Sequence, residues 1–278
     1  MDSWFFDKIL EILLPNLSLI IWMIGEIINE WAQFCKDMGC TLATETGMTV
    51  ATNRDSYLAC DFANCAISLG ETPIDINGLE RGFEGHDFVI YKIQKETDNE
   101  RYSAISLKMG TLMMINSKEW SAKTEYNMRK NNEVVSSKTI FRFSARNLNI
   151  FRDVVFDAFS YEQRFRESSL DTYIKGEGSG NVRYYGLQVL GQGVVSAAMI
   201  HASSRGDIGG LELVSTRPQF QNLGYSKFLL GKILNEEFDL NLKKIWLFSI
   251  TGSFAEKFYR DLGFINVGNI KILRFSGR

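Results

Sequence analysis

A glycine-containing loop between a predicted strand and a predicted helix has residues suited to binding an anion. Residues 211–234 read LELVSTRPQFQNLGYSKFLLGKIL, with the loop pattern Gln221-x-x-Gly224-x-Ser226 before an amphipathic stretch. The first amides of a helix have no intrahelical partner, and the helix dipole attracts negative charge, so a phosphate could bind there. Gly224 has no β-carbon to block a close approach. The alternative is an ordinary helix start capped by Ser226.

A tyrosine-containing segment follows one predicted strand later. Residues 254–264 read FAEKFYRDLGF, with Tyr259 five residues before Phe264. Together the two segments resemble the GNAT superfamily of acetyl-CoA-dependent N-acetyltransferases. Its signature is a strand, then Gln/Arg-x-x-Gly-x-Gly/Ala opening a helix, then a Tyr-x-x-Leu-Gly-Phe element before the last strands. Residues 139–278 fit that plan throughout.

This resemblance implies a fold, a cosubstrate and a set of binding residues. The fold is a mixed α/β domain with a central mixed sheet, and the cosubstrate is acetyl-CoA. Strand backbone groups would bind the pantetheine arm, and loop amides would bind the pyrophosphate. The residues implied are Leu213, Val214, Gln221, Asn222, Leu223, Gly224, Tyr225 and Ser226. Ser226 departs from the family pattern, which prefers Gly or Ala there.

Transfer of an acetyl group to an amine also requires proton transfer. An alkyl amine has a pKa near ~10.4, so a base must remove its proton before it can attack the thioester. Tyr259 matches the family tyrosine near the acetyl-CoA sulfur and would protonate the leaving thiolate. Glu212 is the first candidate base and, two residues before Val214, is expected to share its face of the strand; the alternative is a surface glutamate. His201 is the second candidate, against an exposed loop histidine.

Four cysteines, at positions 35, 40, 60 and 65, could form a thiolate zinc site or could be buried thiols in a reducing compartment. Structural zinc usually has two residues between paired ligands, whereas four residues separate each pair here. The two histidines lie far from the cysteines in the sequence. We therefore expect no metal.

The N-terminus is apolar but does not resemble a membrane span. Residues 9–28 are strongly apolar, yet the uncharged run 12–25 is shorter than the ~20 residues that a span needs. Pro15 predicts two short helices that meet at a turn. Asp2 and Asp7 stand where a secretory signal has basic residues, which predicts a cytoplasmic protein.

The polar segment 118–138 predicts a connection between two domains, residues 1–130 and 139–278. The C-terminal domain has the predicted order βαββ-βαβαβ, with a parallel pair of strands around the helix at 226–238. Residues 107–120 loosely parallel residues 262–275, so the first domain resembles a degenerate GNAT copy. It has no Gln/Arg-x-x-Gly loop and is expected to bind no acetyl-CoA.

Charge narrows the classes of function. With 31 Lys and Arg against 33 Asp and Glu, the chain has no global field that would attract nucleic acid. Arg217 and Lys227 could add local positive charge beside the loop. The sequence thus predicts an N-acetyltransferase acting on a primary amine of a small molecule, peptide or protein. A longer acyl donor, or a catalytically silent acyl-CoA-binding or interaction protein with the same fold, remains open.

Overall fold

A computed structural model describes residues 25–45, 48–52, 65–69, 83, 88–94, 106–120, 137–202 and 207–275. The first helix, α1, covers residues 25–37. The strands of the N-terminal half are β1 (Thr41–Glu45), β2 (Met48–Thr52), β3 (Cys65–Leu69), β4 (Phe88–Gln94) and β5 (Ser106–Asn116). The C-terminal half contains β6 (Lys138–Arg142), α2 (Leu148–Phe159), α3 (Arg166–Gly178), β7 (Val182–Val189), β8 (Gly193–Ala202), β9 (Ile208–Thr216), α4 (Tyr225–Asp239), β10 (Lys244–Ile250), α5 (Phe254–Leu262) and β11 (Ile265–Phe275). The two short helices predicted around Pro15 lie outside the described residues.

The described strands form one mixed sheet in the order β1-β2-β3-β4-β11-β5-β10-β9-β8-β7-β6. Two neighbouring pairs, β3 with β4 and β9 with β10, run parallel, and the other pairs run antiparallel. Helix α4 connects β9 to β10, because a parallel pair requires a crossover. The mixed α/β fold and the parallel pair predicted from the sequence are therefore confirmed.

The two halves of the chain are interleaved at the centre of this sheet. Strand β5, from the N-terminal half, lies between β10 and β11 and pairs with both. Strand β11, at the end of the chain, pairs on its other side with β4. Each half thus gives its last strand to the sheet of the other. These two strands lie in residues 107–120 and 262–275, the two segments whose sequences loosely resemble each other.

Apolar side chains cover both faces of the sheet. The α1–α3 layer contains Trp31 and Phe34 of α1 together with Phe151 and Val155 of α2. The α4–α5 layer contains the apolar face of α4, formed by Leu229, Leu230, Ile233 and Leu234. Phe159, the last residue of α2, is 45% exposed because the helix ends there.

Helix α3 is absent from the sequence prediction because most of its buried residues are small or polar. Ser169, Thr172 and Gly176 are buried beside a single large aromatic residue, Tyr173, so the apolar periodicity that marks an amphipathic helix is missing. The hydroxyls of Ser169 and Thr172 donate to backbone carbonyls one turn earlier, at 2.7 and 3.0 Å. These bonds satisfy the hydroxyls and allow the helix to pack without a regular apolar stripe.

Candidate active site

The loop before α4 presents backbone amides at an exposed helix end. Gly224 is the N-cap residue with φ +78° and ψ 5°, a left-handed conformation that favours glycine. The first intrahelical hydrogen bond runs from Phe228 N to Gly224 O at 3.0 Å, so the amides of the preceding helical residues point out of the helix end. A β-carbon added at Gly224 would meet nothing within 4 Å. The helix begins at Tyr225, so Ser226 is not its cap.

Ser226 instead links the loop to the end of β9 through a chain of hydroxyls. Its Oγ lies 2.6 Å from Thr216 Oγ1, which lies 2.9 Å from Ser196 Oγ on β8. Ser196 Oγ in turn donates to Ser215 O at 2.6 Å. Gln221 also contacts this strand end, because its Nε2 donates to Thr216 O at 3.2 Å. The serine that departs from the family pattern therefore holds the loop against the sheet.

Arg217 is less available to an anion than the sequence suggested. Its guanidinium forms an ion pair with Asp157 at the end of α2, and its Nε donates to Val194 O at 3.0 Å. These contacts fix the segment after β9 against β8 and α2. Lys227 lies exposed in the first turn of α4 and remains a local source of positive charge.

Strands β9 and β10 separate beside this loop. They pair only from Ile208 to Gly210 and from Lys244 to Trp246, although both strands continue to Thr216 and Ile250. Leu213 lies in the separated part with φ +50°, a left-handed bulge within a strand. The pairing of β9 with β8 is also irregular there. The edge of β9 that faces β10 beyond Gly210 is therefore open to a ligand backbone or amide chain.

The bulge overturns the expectation that Glu212 and Val214 share a face of β9. Glu212 is opposite Met199, which belongs to the α1–α3 layer, and residues directly opposite each other share a face. Leu213 packs with the same layer, whereas Val214 packs with the α4–α5 layer. A left-handed residue breaks the two-residue alternation of a strand, which a sequence pattern cannot reveal. Glu212 is 7% exposed rather than a surface residue.

Tyr259 lies close enough to Glu212 to interact electrostatically with it. The residue is half-buried on α5, and its ring packs edge-on against Phe264 with centroids 5.7 Å apart. Burial raises the pKa of the Tyr259 phenol, and the Glu212 carboxylate raises it further. The structure thus places the two residues proposed for proton transfer, 47 positions apart in the sequence, within electrostatic range of each other, and their roles stay a prediction.

His201 is neither the exposed loop residue nor the available base that the sequence suggested. It lies on β8, is 2% exposed, and stacks on Phe34 of α1 with ring centroids 4.0 Å apart. Gly210 leaves room for the ring, because a β-carbon there would lie 2.0 Å from His201 Nε2. Burial lowers the pKa of His201 to about 3, with a smaller effect from Arg183. A neutral imidazole in this packing serves the core.

Glu256 anchors the start of α5 and was missed by the sequence reasoning. Its backbone N donates to Ser253 Oγ at 3.1 Å, and its Oε2 accepts from Gly252 N at 2.6 Å. Thr111 Oγ1 on β5 donates to the same carboxylate at 3.3 Å. The sequence carries the capping-box pattern Ser253-x-x-Glu256, but the carboxylate accepts from Gly252 N instead of the N-cap amide, and its contact with the N-terminal half required the fold. It fixes the helix that bears Tyr259.

The described cysteines at positions 35, 40 and 65 are buried thiols. Burial raises the pKa of Cys35, and contacts with the other two thiols add to that rise. Among the described residues, no group of three or more His, Cys, Asp and Glu side chains is placed to hold a metal ion. None of the described helices is both long and apolar enough to cross a membrane.

Comparison with known families identifies the class of domain that this fold and site define. Residues 150–264 match the model of the Acetyltransferase (GNAT) family. That part of the chain is a GNAT acetyltransferase domain, as the sequence resemblance implied. No curated protein matches the chain.

Solved structures share the fold over most of the chain. A GCN5-related N-acetyltransferase from Kribbella flavida is 13% identical, with a TM-score of 0.60 and coverage of 86% of this chain and 90% of that one. A conserved protein of unknown function from Staphylococcus epidermidis is 14% identical, with a TM-score of 0.58 and coverage of 86% and 95%. A tandem GNAT protein from the clavulanic acid biosynthesis pathway is 8% identical, with a TM-score of 0.50 and coverage of 83% and 78%. At these identities the likeness concerns the fold.

Proposed function

We propose that this protein is an acetyl-CoA-dependent N-acetyltransferase that acetylates a primary amine. The observation that carries the proposal is that Tyr259 and the buried Glu212 lie within electrostatic range of each other where strands β9 and β10 separate. A carboxylate and a protonated phenol placed in this way would supply a base and an acid, which amide formation from a thioester requires.

The residues present fit acetyl-CoA. The pyrophosphate would bind the outward amides from Asn222 to Ser226, and the open space beyond Gly224 leaves room for it. The pantetheine arm would lie along the open edge of β9 at Leu213 and Val214, where backbone groups would pair with its amides. Gln221 would act indirectly, by fixing the loop to Thr216. When bound, acetyl-CoA supplies the activated acetyl group.

The two side chains take opposite roles in proton transfer. Glu212 would accept the proton of the acceptor ammonium, directly or through a water molecule, and so generate the nucleophilic amine. Tyr259 would donate its proton to the departing sulfur. Burial and the neighbouring carboxylate raise the pKa of Tyr259, so the phenol is protonated at neutral pH when the thioester is attacked. Backbone amides of β9 near the bulge would stabilise the oxyanion.

The N-terminal half is proposed to be a second, degenerate copy of the domain. The pairing sequence antiparallel, antiparallel, parallel, antiparallel runs through β1, β2, β3, β4 and β11. The same sequence runs through β7, β8, β9, β10 and β5. This repeat supports duplication followed by exchange of the last strands. The copy would complete the sheet of the C-terminal domain and bind no acetyl-CoA.

Binding and turnover should be measured separately on the full chain. Acetyl-CoA should raise the melting temperature, because a ligand that binds only the folded state stabilises it. Release of the CoA thiol in the presence of a panel of primary amines should then report acetyl transfer. Glu212→Gln should keep the melting shift but lose most of the turnover. A melting shift without turnover on any amine would favour a silent acyl-CoA-binding protein.

A further inference from the structure

A cavity of about 460 Å³ lies at the start of β7, away from the proposed acetyl-CoA site. It is bordered by Gly180 and Asn181, which follow α3, and by Leu240 and Leu242, which follow α4. Helix α4 is 15 residues long and begins at the proposed acetyl-CoA loop, so about 22 Å of helix separates that loop from the cavity. The cavity is therefore a separate feature, and its size suits a bound ligand or side chain.

The first residues of β7 form a sheet edge along this cavity. Strand β6 ends at Arg142, opposite Tyr185, and the chain then turns into a short helix. Tyr184 O faces the β6 side, because it accepts from Phe143 N at 2.8 Å. Main-chain groups alternate sides along an antiparallel strand, so the N–H and C=O of Val182 point the same way, beyond the end of β6. None of the described strands pairs with Val182 on that side, so an extended chain could add there.

The charged side chains around the cavity leave one carboxylate uncompensated. Arg142 and Arg183 line the cavity, but Arg183 donates to both carboxylate oxygens of Glu237, and Arg142 pairs with Glu236 at 2.5 Å. Glu177, at the end of α3, also lines the cavity, and no Lys, Arg or His in the described part of the chain forms an ion pair with it. The C-terminal ends of α3 and α4 add partial negative charge. The cavity therefore favours a ligand with a single positive charge.

Apolar side chains form another part of the cavity wall. Leu240 is 50% exposed there, and the buried residues Val182 and Leu242 also line the cavity. An alkyl stem would gain contact with these side chains while its charged end reached Glu177, as long basic side chains do at other apolar surfaces. A lysine side chain combines such a stem with one positive charge, and its main chain supplies the groups that a strand edge requires.

We propose that this cavity is a docking site for an extended, lysine-containing segment of a partner protein. The main chain of the segment would add to the edge of β7 at Val182, and the lysine ammonium would pair with Glu177. The lysine stem would pack on Leu240. A segment with an acidic residue in place of the lysine would bring two carboxylates together and would be rejected. The site does not involve acetyl-CoA, so this inference is independent of the proposed function.

The test measures binding of the blocked peptide acetyl-Val-Lys-Val-amide to the isotopically labelled full chain by NMR. The amide signals of Val182 and Leu240 should shift on titration. A peptide with norleucine in place of lysine keeps the stem without the charge, and its Kd should be about threefold to tenfold higher. In Glu177→Gln the two peptides should bind equally. Asp171→Asn removes an exposed carboxylate elsewhere on α3, so it is the matched control and should keep the preference for lysine. Butylamine, which has the stem and the charge but no main chain, should bind at least about tenfold more weakly than the lysine peptide.

Three results would overturn the inference. The first is the absence of any shift at Val182 and Leu240 with the lysine peptide in the millimolar range. The second is a preference for lysine that survives Glu177→Gln, because the charge would then be recognised elsewhere. The third is binding of butylamine as tight as that of the peptide, because main-chain pairing would then contribute nothing. None of these measurements uses acetyl-CoA, so failure here is distinguishable from failure of the proposed function.

Discussion

Lowering the pH should destabilise this fold through His201. The pKa of the imidazole is about 3 in the folded protein, against 6.5 for an unperturbed histidine, chiefly because burial disfavours its charged form. Near pH 5 the histidine would be protonated in the unfolded chain and neutral in the folded protein, so unfolding takes up a proton. The free energy of unfolding starts to decrease as the pH falls below 6.5, and it continues to decrease until about pH 3. At pH 5 it corresponds to about 2 kcal/mol of unfolding free energy relative to pH 8.

Urea unfolding at both pH values would measure this effect in the wild type and in His201→Gln. The variant loses the stacking on Phe34 and is less stable throughout, but it has no titrating group at this position. The change in unfolding free energy between the two pH values is determined for each protein separately, so the effect of the lost packing cancels. The remaining carboxylates and cysteines contribute to this change in both proteins. The wild type should lose about 2 kcal/mol more than the variant between about pH 8 and pH 5.

Equal losses in the two proteins would refute the reasoning, because His201 would then be accessible to protons in the folded state. The same variant also tests the alternative base. If His201 serves only the core, His201→Gln should keep kcat within a few-fold under conditions where it is folded. A fall of about a hundredfold or more would return His201 to the catalytic machinery.

Three further predictions concern the site and the interleaved sheet. Gly224→Glu should abolish the rise in melting temperature with acetyl-CoA, because a carboxylate would enter the anion site and a side chain would be strained at φ +78°; an unchanged shift would place the cosubstrate elsewhere. Tyr259→Phe keeps the ring packing but removes the proton donor, so kcat should fall by ~10²–10⁴ with little change in the acetyl-CoA dissociation constant, and a near-normal kcat would exclude Tyr259 as the acid. A fragment of residues 139–278 lacks β5 and α1 and should aggregate in size-exclusion chromatography, since β10 and β11 lose the strand between them; a monodisperse, active fragment would contradict this.

Local patterns in the sequence predicted much of the C-terminal half. The apolar strand before Gln221, the amphipathic helix α4 and the segment around Tyr259 each carry their signal within a few residues, because helix starts and apolar periodicity are local properties. Helix α3 was not predicted, because its buried residues carry no regular apolar pattern. The family resemblance rested on the same local segments, and the family match to residues 150–264 confirmed it.

The tertiary structure decided how the site is assembled. The bulge at Leu213, the opposite faces of Glu212 and Val214, and the electrostatic influence of Glu212 on Tyr259 all depend on which strands become neighbours. The same holds for the exchange of β5 and β11, whose partners lie more than a hundred residues away in the sequence. Strand pairing is a long-range choice made by the packing of whole layers, whereas helix starts and apolar faces are determined by adjacent residues. For this reason the sequence alone proposed the side chains that could do the chemistry, and only the folded sheet determined which of them come within electrostatic range of each other.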